Sequence, residues 1–187
     1  MLKKIGVLVL VVFAISCNQK LSESEKVEYI KKGNTITKAA FKQLSSQLIE
    51  QMQQGGPQQA IPFCNVEAAP IVSKLSEKYN VAIKRTSLKL RNPNNKPTSR
   101  EAEVLSTFEN LASNNEIIQP IVEKDAENNI HYYAPIKMQG KCLVCHGVKN
   151  ETLNVKTDSL LKTFYPEDLA IGYKEGDLRG IWSLTFN

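Results

Sequence analysis

The sequence predicts an α+β fold in which helices come first and an antiparallel sheet follows. Three observations carry this. Apolar residues recur at helical spacing up to about residue 80, side chains then alternate as in a strand over residues 81–90, and further strand-like segments follow. The strand-like segments are joined by turns or by one helix, not by the regular helical crossovers of a parallel sheet.

Each element follows from its own pattern. Over residues 25–54, Ile36, Ala40, Leu44 and Leu48 fall four apart, and Phe41, Ile49 and Met52 widen the stripe. Gly55-Gly56-Pro57 stops this long helix. Residues 58–79 form a second helical region with Ile61, Cys64, Ala68, Val72 and Leu75 on one face, and Pro70 is expected to break or kink it. Residues 81–90 alternate as a strand, and 91–97 are a Pro- and Asn-rich loop. Thr98-x-x-Glu101 is a capping box opening a helix with Val104, Leu105, Phe108 and Leu111 on one side, ending near Asn114. Residues 117–123 and 130–138 read as a hairpin around a turn at 125–129. A short helix is expected over 157–164. A closing strand over 180–186 should face Ile181 and Trp182 in opposite directions.

The N-terminus reads as an export leader. Lys3 and Lys4 precede an apolar run over residues 5–15, too short to span a bilayer, and Ala14-Ile15-Ser16-Cys17 resembles a lipobox. The expected organisation is a signal peptide over 1–16, lipidated Cys17 opening a tether over 17–24, and one domain over 25–187. The protein is then exported and membrane-anchored, facing the periplasm or cell surface. A formal charge of +5, two units of it from Lys3 and Lys4, with 19 acidic residues interspersed, does not point to nucleic acid.

The chemistry lies in Cys142-Leu143-Val144-Cys145-His146. This is C-x-x-C-H, the attachment site of a c-type haem: two thiols add across the porphyrin vinyl groups and the adjacent imidazole reaches the iron. Four Cys and two His in 187 residues make a chance match on the order of one in a thousand. A thioredoxin-like redox pair would need a βα context that is not visible, and zinc would need a second close Cys/His pair. Export agrees with haem attachment outside the cytoplasm. The late position of the motif, after a strand, separates this chain from small all-helical cytochromes c.

His146 supplies one axial ligand. For the other, Cys64, His131, Met52 and Met138 are available. Met138 is too near the motif to cross to the far side of the iron, Met52 reads as core, and His131 sits in a hairpin strand where a hydrogen-bonded His is ordinary. Cys64 leads because it is otherwise unexplained and lies on an apolar helix face beside small residues. A structural buried thiol is its ordinary alternative. Arg85 and Arg91 are candidates for the haem propionates, against the plain reading of solvent-facing arginines. Tyr133 and Trp182 are candidate lining residues, with aromatic core as the default.

Several strings resemble one family. They are Ala60-Ile61-Pro62-Phe63-Cys64 with Ala69-Pro70; Arg85-Thr86-Ser87-Leu88-Lys89-Leu90-Arg91-Asn92-Pro93 with Asn95, Pro97 and Glu101; Tyr133-x-Pro135-Ile136; Cys142 to Gly147; and Tyr165-Pro166 through Gly172-Tyr173 and Gly176-Asp177 to Arg179-Gly180. Together they resemble PAS-like c-type haem domains, first described as a cyanobacterial cytochrome and also found as extracytoplasmic sensor parts of bacterial kinases and chemoreceptors. The resemblance implies a PAS-like antiparallel sheet with flanking helices, and His/Cys ligation with Cys64 opposite His146.

Imidazole/thiolate ligation favours ferric iron and hence a low potential. The expected function is one-electron transfer by an exported lipoprotein carrying one covalent haem c. The alternative is a redox or gas sensor for CO or NO acting through a partner protein. No distal acid/base pair argues for an enzyme.

Overall fold

A computed structural model describes residues 20–186; the segment expected as a leader and Cys17 lie outside these residues. The elements run α1 (Glu23–Tyr79), β1 (Val81–Thr86), α2 (Ser99–Ser113), β2 (Ile121–Lys124), β3 (Ile130–Lys137), α3 (Leu143–His146), α4 (Val155–Phe164) and β4 (Leu178–Phe186). This is the expected α+β architecture: a four-stranded antiparallel sheet, flanked by helices, with a long N-terminal helix. No described helix is long and apolar enough to cross a membrane.

Ser22 caps α1 through a capping box with Glu25, so the helix begins inside the segment expected as a tether. α1 is two arms. Gly55 (φ −159°, ψ 19°) and Gly56 (φ 62°, ψ −153°) leave helical geometry, and the positive φ at Gly56 suits glycine. In a straight helix Tyr29 and Tyr79 would stand about 75 Å apart at 1.5 Å per residue. Instead both line one surface cleft with Val81 and Phe186, so the chain folds back on itself. Both arms then cover the same sheet face. Pro70 does not break the second arm, contrary to expectation. The carbonyl its missing N–H would have met belongs to Val66; both residues are exposed, so water can satisfy that carbonyl.

The strand order is β1-β4-β3-β2. Strand alternation sorts the core into two layers. Val81, Ile83, Tyr132, Ala134, Trp182 and Leu184 face α1, against Ile36 and Ala40. Tyr133 and Ile181 face α2, against Val104, Leu105 and Phe108. Ile181 and Trp182 therefore diverge as the sequence predicts. Thr98 and Glu101 make both capping-box bonds of α2. β1 stops at Thr86, short of the expected end near residue 90. Beyond it the chain leaves the sheet to carry Leu90 and Arg91 toward the C-x-x-C-H segment, where the Leu90 carbonyl accepts from the Leu169 N–H at 2.8 Å.

Candidate functional site

The motif is built from the end of β3. A single 3₁₀ turn over Gly140–Cys142 passes directly into α3, the one-turn helix that holds Cys145 and His146. The loop after α4 pins this turn by its backbone: Gly172 N–H donates to Gly147 O (2.8 Å) and Tyr173 N–H to His146 O (3.0 Å). Cys145 packs with Ile61, Leu153, Leu161 and Tyr165. Ile61 lies one turn before Cys64 on the second arm of α1, so that arm, α4 and the motif share one apolar wall.

His146 is held in one orientation. Its Nδ1 lies 2.7 Å from the Ala170 carbonyl oxygen, which can only accept, so Nδ1 carries the proton and Nε2 the lone pair. Burial, with the charges of Arg91 and Arg179, pushes its pKa well below the ordinary value, so the ring is neutral at neutral pH. A neutral imidazole whose second nitrogen is tied to a backbone carbonyl is the arrangement a metal-ligating histidine requires. Tyr173 packs edge-on to the ring at 6.3 Å between centroids.

Arg91 binds the site together. Its Nε donates to Asp168 Oδ2 at 3.1 Å, Nη2 donates to the carbonyls of Cys145 and Ala170, and Nη1 lies 3.4 Å from His146 Nε2. Asp168 Oδ1 accepts from Ala170 N–H at 2.8 Å. A chain of contacts thus runs from carboxylate to backbone to imidazole. The ion pair is enclosed, with side chains 15% and 6% exposed.

Cys64, Cys142 and Cys145 are all half-buried free thiols. Burial raises the Cys64 thiol, while the nearby charges of Arg85 and Arg91 lower it. Burial likewise raises Cys145, whose thiol also senses those of Cys64 and Cys142. The structure therefore brings Cys64 to the same region as Cys145 and His146, across more than seventy residues of chain.

Other sequence candidates fall elsewhere. His131 lies on the α2 face of the sheet, its Nε2 2.8 Å from Asp125 Oδ2 and its Nδ1 3.1 Å from Thr185 Oγ1. Tyr133 packs in the α2-side core, whereas Trp182 lies on the α1 face with the Arg85 guanidinium 5.7 Å from its ring centroid. Met138 is buried with Ala170 and Tyr173, beside Cys142. Asp168, Ala170 and Tyr173 are site residues that the sequence does not announce: an acid in a loop pairs with an arginine 77 positions away only once the chain has folded.

The donor set fits a haem. Two thiols stand three apart on a turn, with a neutral, oriented imidazole next to them and a third thiol on the facing helix. The family model described as Tll0287-like (Tll0287) matches residues 18–187. A solved structure titled as the cyanobacterial heme-protein Tll0287 is similar over 83% of this chain and 94% of that chain, with 25% identity and a TM-score of 0.57. No curated protein matches the chain.

Proposed function

From the premise that this chain belongs to the Tll0287-like family, we propose that it is a PAS-like haem-binding domain acting as a redox or gas sensor. The observation that carries the reading is His146: a buried, neutral imidazole with its Nδ1 proton on the Ala170 carbonyl, next to the Cys142/Cys145 thiol pair. The heme-protein named in the similar solved structure supports the cofactor.

Cys142 and Cys145 would hold the group as thioethers, and His146 Nε2 and Cys64 Sγ would bind its iron. Bound haem supplies an iron that cycles between ferric and ferrous states and can take a diatomic gas when ferrous. The remaining chemistry belongs to the chain. Ala170 and Asp168 orient His146. Ile61, Leu153, Leu161 and Tyr165 exclude water from one side. Burial raises the proton affinity of Cys64, and Arg85 and Arg91 offset part of that rise.

Sensing is favoured by the setting of Cys64. Its burial favours the thiol over the thiolate, and two arginines work against that preference. The net shift is toward the thiol, so a Cys64 thiolate would take a proton readily when negative charge is added nearby, and a protonated sulfur is a poor ligand. Cys64 is therefore the residue that would give up its place to CO or NO. Electron transfer is the second reading, resting on the low potential that sulfur ligation gives. In either case the protein would act through a partner protein. Lipid on Cys17 would hold it at the membrane.

The test is a redox titration of purified holoprotein, with spectra in both states, with and without CO. Sensing predicts loss of the sulfur-ligated spectrum on reduction and tight CO binding. Retention of a six-coordinate, CO-inert ferrous state would overturn it in favour of electron transfer. Cys64→Ala should keep covalent haem but lose the thiolate-type ferric spectrum. An unchanged ferric spectrum would remove Cys64 as the ligand.

A further inference from the structure

β4 pairs with β3 in a regular register until its first residues. Ile136 stands opposite Gly180, but Lys137 stands opposite Leu178, which leaves Arg179 without a partner. The packing records the same slip. Leu178 and Ile181 both pack in the α2-side core although they are three apart, a spacing that strict alternation would split between faces. Arg179 is therefore the extra residue of a β-bulge, and bulges re-aim side chains. The backbone at this point runs so close to β1 that a Cβ on Gly180 would collide with the Thr86 carbonyl oxygen. Arg179 is turned toward the site: its guanidinium lies 5.6 Å from the Tyr173 ring centroid, and Nη1 donates to the Lys89 carbonyl at 3.1 Å.

Arg85, on β1, lies over Trp182 on the α1 face. Among the described residues neither Arg85 nor Arg179 has a carboxylate partner, whereas Arg91 is paired with Asp168, Lys84 with Glu101 and Arg100 with Glu123. Burial lowers the proton affinity of both unpaired guanidiniums, and Arg179 lowers that of Arg85 further. Asp168 acts on Arg179 only from beyond ion-pair distance, and two enclosed cations of like sign with no carboxylate in contact are costly unless a ligand brings negative charge to them. Guanidinium suits carboxylate because it offers paired N–H donors in a fixed plane.

We propose that Arg85 and the bulged Arg179 form a two-guanidinium clamp for the carboxylates of a dianionic ligand, which on the reading above are the two propionates of haem. Arg91 is not part of the clamp, since Asp168 already meets its charge. The clamp would orient the group within the site and hold positive charge near the iron.

The experiment compares purified holoprotein of wild type, Arg85→Gln, Arg179→Gln, Arg179→Lys and Arg100→Gln; Arg100 is bound to Glu123 and Glu103 on the α2 side. The readouts are the midpoint potential and the propionate-bending bands of the resonance Raman spectrum. Removing a positive charge near iron favours the ferric state. Both Gln variants should therefore lower the potential and shift the propionate bands. Arg179→Lys should recover part of the potential, and Arg100→Gln should move neither readout. A haem-loaded protein in which both Gln variants keep the wild-type potential and bands would overturn the clamp alone. A wild-type chain that takes up no haem when matured in a c-type-competent host would overturn the clamp together with the reading beneath it. If Arg85→Gln does not accumulate, Arg179→Gln, at a strand end, decides the matter.

Discussion

Asp168→Ala is the perturbation that tests how the site is held. Its carboxylate does two jobs: Oδ2 pairs with Arg91 at 3.1 Å and Oδ1 accepts from Ala170 N–H at 2.8 Å, and the Ala170 carbonyl fixes His146. The pair is 15% and 6% exposed, so solvent screens it little. Removing one partner of a buried ion pair leaves the other charge uncompensated and typically costs about 3–5 kcal/mol. The lost bond to Ala170 adds about 1 kcal/mol, part of which water recovers at the vacated position. The expected destabilisation is therefore about 3–6 kcal/mol, read as a lower urea midpoint with an unchanged slope. A double-mutant cycle with Arg91→Gln and Asp168→Asn should show a coupling of about 1–3 kcal/mol. In the same variants the imidazole, no longer held by a fixed carbonyl, should bind its metal about 10- to 100-fold more weakly. If Asp168→Ala unfolds within 1 kcal/mol of wild type and the cycle shows no coupling, the Asp168–Arg91 pair does not organise the site.

Three further outcomes are expected. Gly33 lies against the fully buried Tyr132 ring so closely that any Cβ collides with it, and the Tyr132 hydroxyl donates to Asn34 Oδ1 at 2.9 Å; Gly33→Val should cost about 2–4 kcal/mol by chemical denaturation, and a cost below 0.5 kcal/mol would show that the ring can move. His146 is held neutral in the fold, so below its ordinary pKa of 6.5 the unfolded chain binds a proton that the native haem-free chain does not; stability should fall as pH drops through that value, by up to about 1.4 kcal/mol per unit, and His146→Gln should flatten the slope. An equal slope in both proteins would remove His146 as the titrating group. Cys17→Ala should release the protein from membrane fractions, and persistent membrane association would place the anchor elsewhere.

Much of the fold is legible in local sequence. The Thr98/Glu101 box and the alternation at the start of β1, with Val81 and Ile83 buried and Ala82 exposed, act over a few residues, so their signals survive outside the tertiary context. The Gly55-Gly56 stop is equally local, because only glycine enters the conformation that Gly56 takes without strain. Pro70 misleads for the complementary reason. Its effect depends on whether Val66 O meets solvent, and that is decided by what packs on the other face of the helix.

The C-x-x-C-H signal is likewise complete in the sequence, since three donors at fixed spacing are a property of one turn of chain. By itself the sequence determined the C-x-x-C-H motif, the helices-then-strands order, the opposite facing of Ile181 and Trp182, and Cys64 as the cysteine outside that motif and the N-terminal segment. Tertiary structure decided how these are used. The reversal of α1 brings Cys64 to Cys145, and Asp168 reaches back to Arg91 to orient His146 through Ala170. A bulge visible only in the β3–β4 register turns Arg179 into the site. Contacts between residues far apart in sequence leave no periodic trace, because their partners are chosen by the packing of whole elements rather than by neighbouring residues.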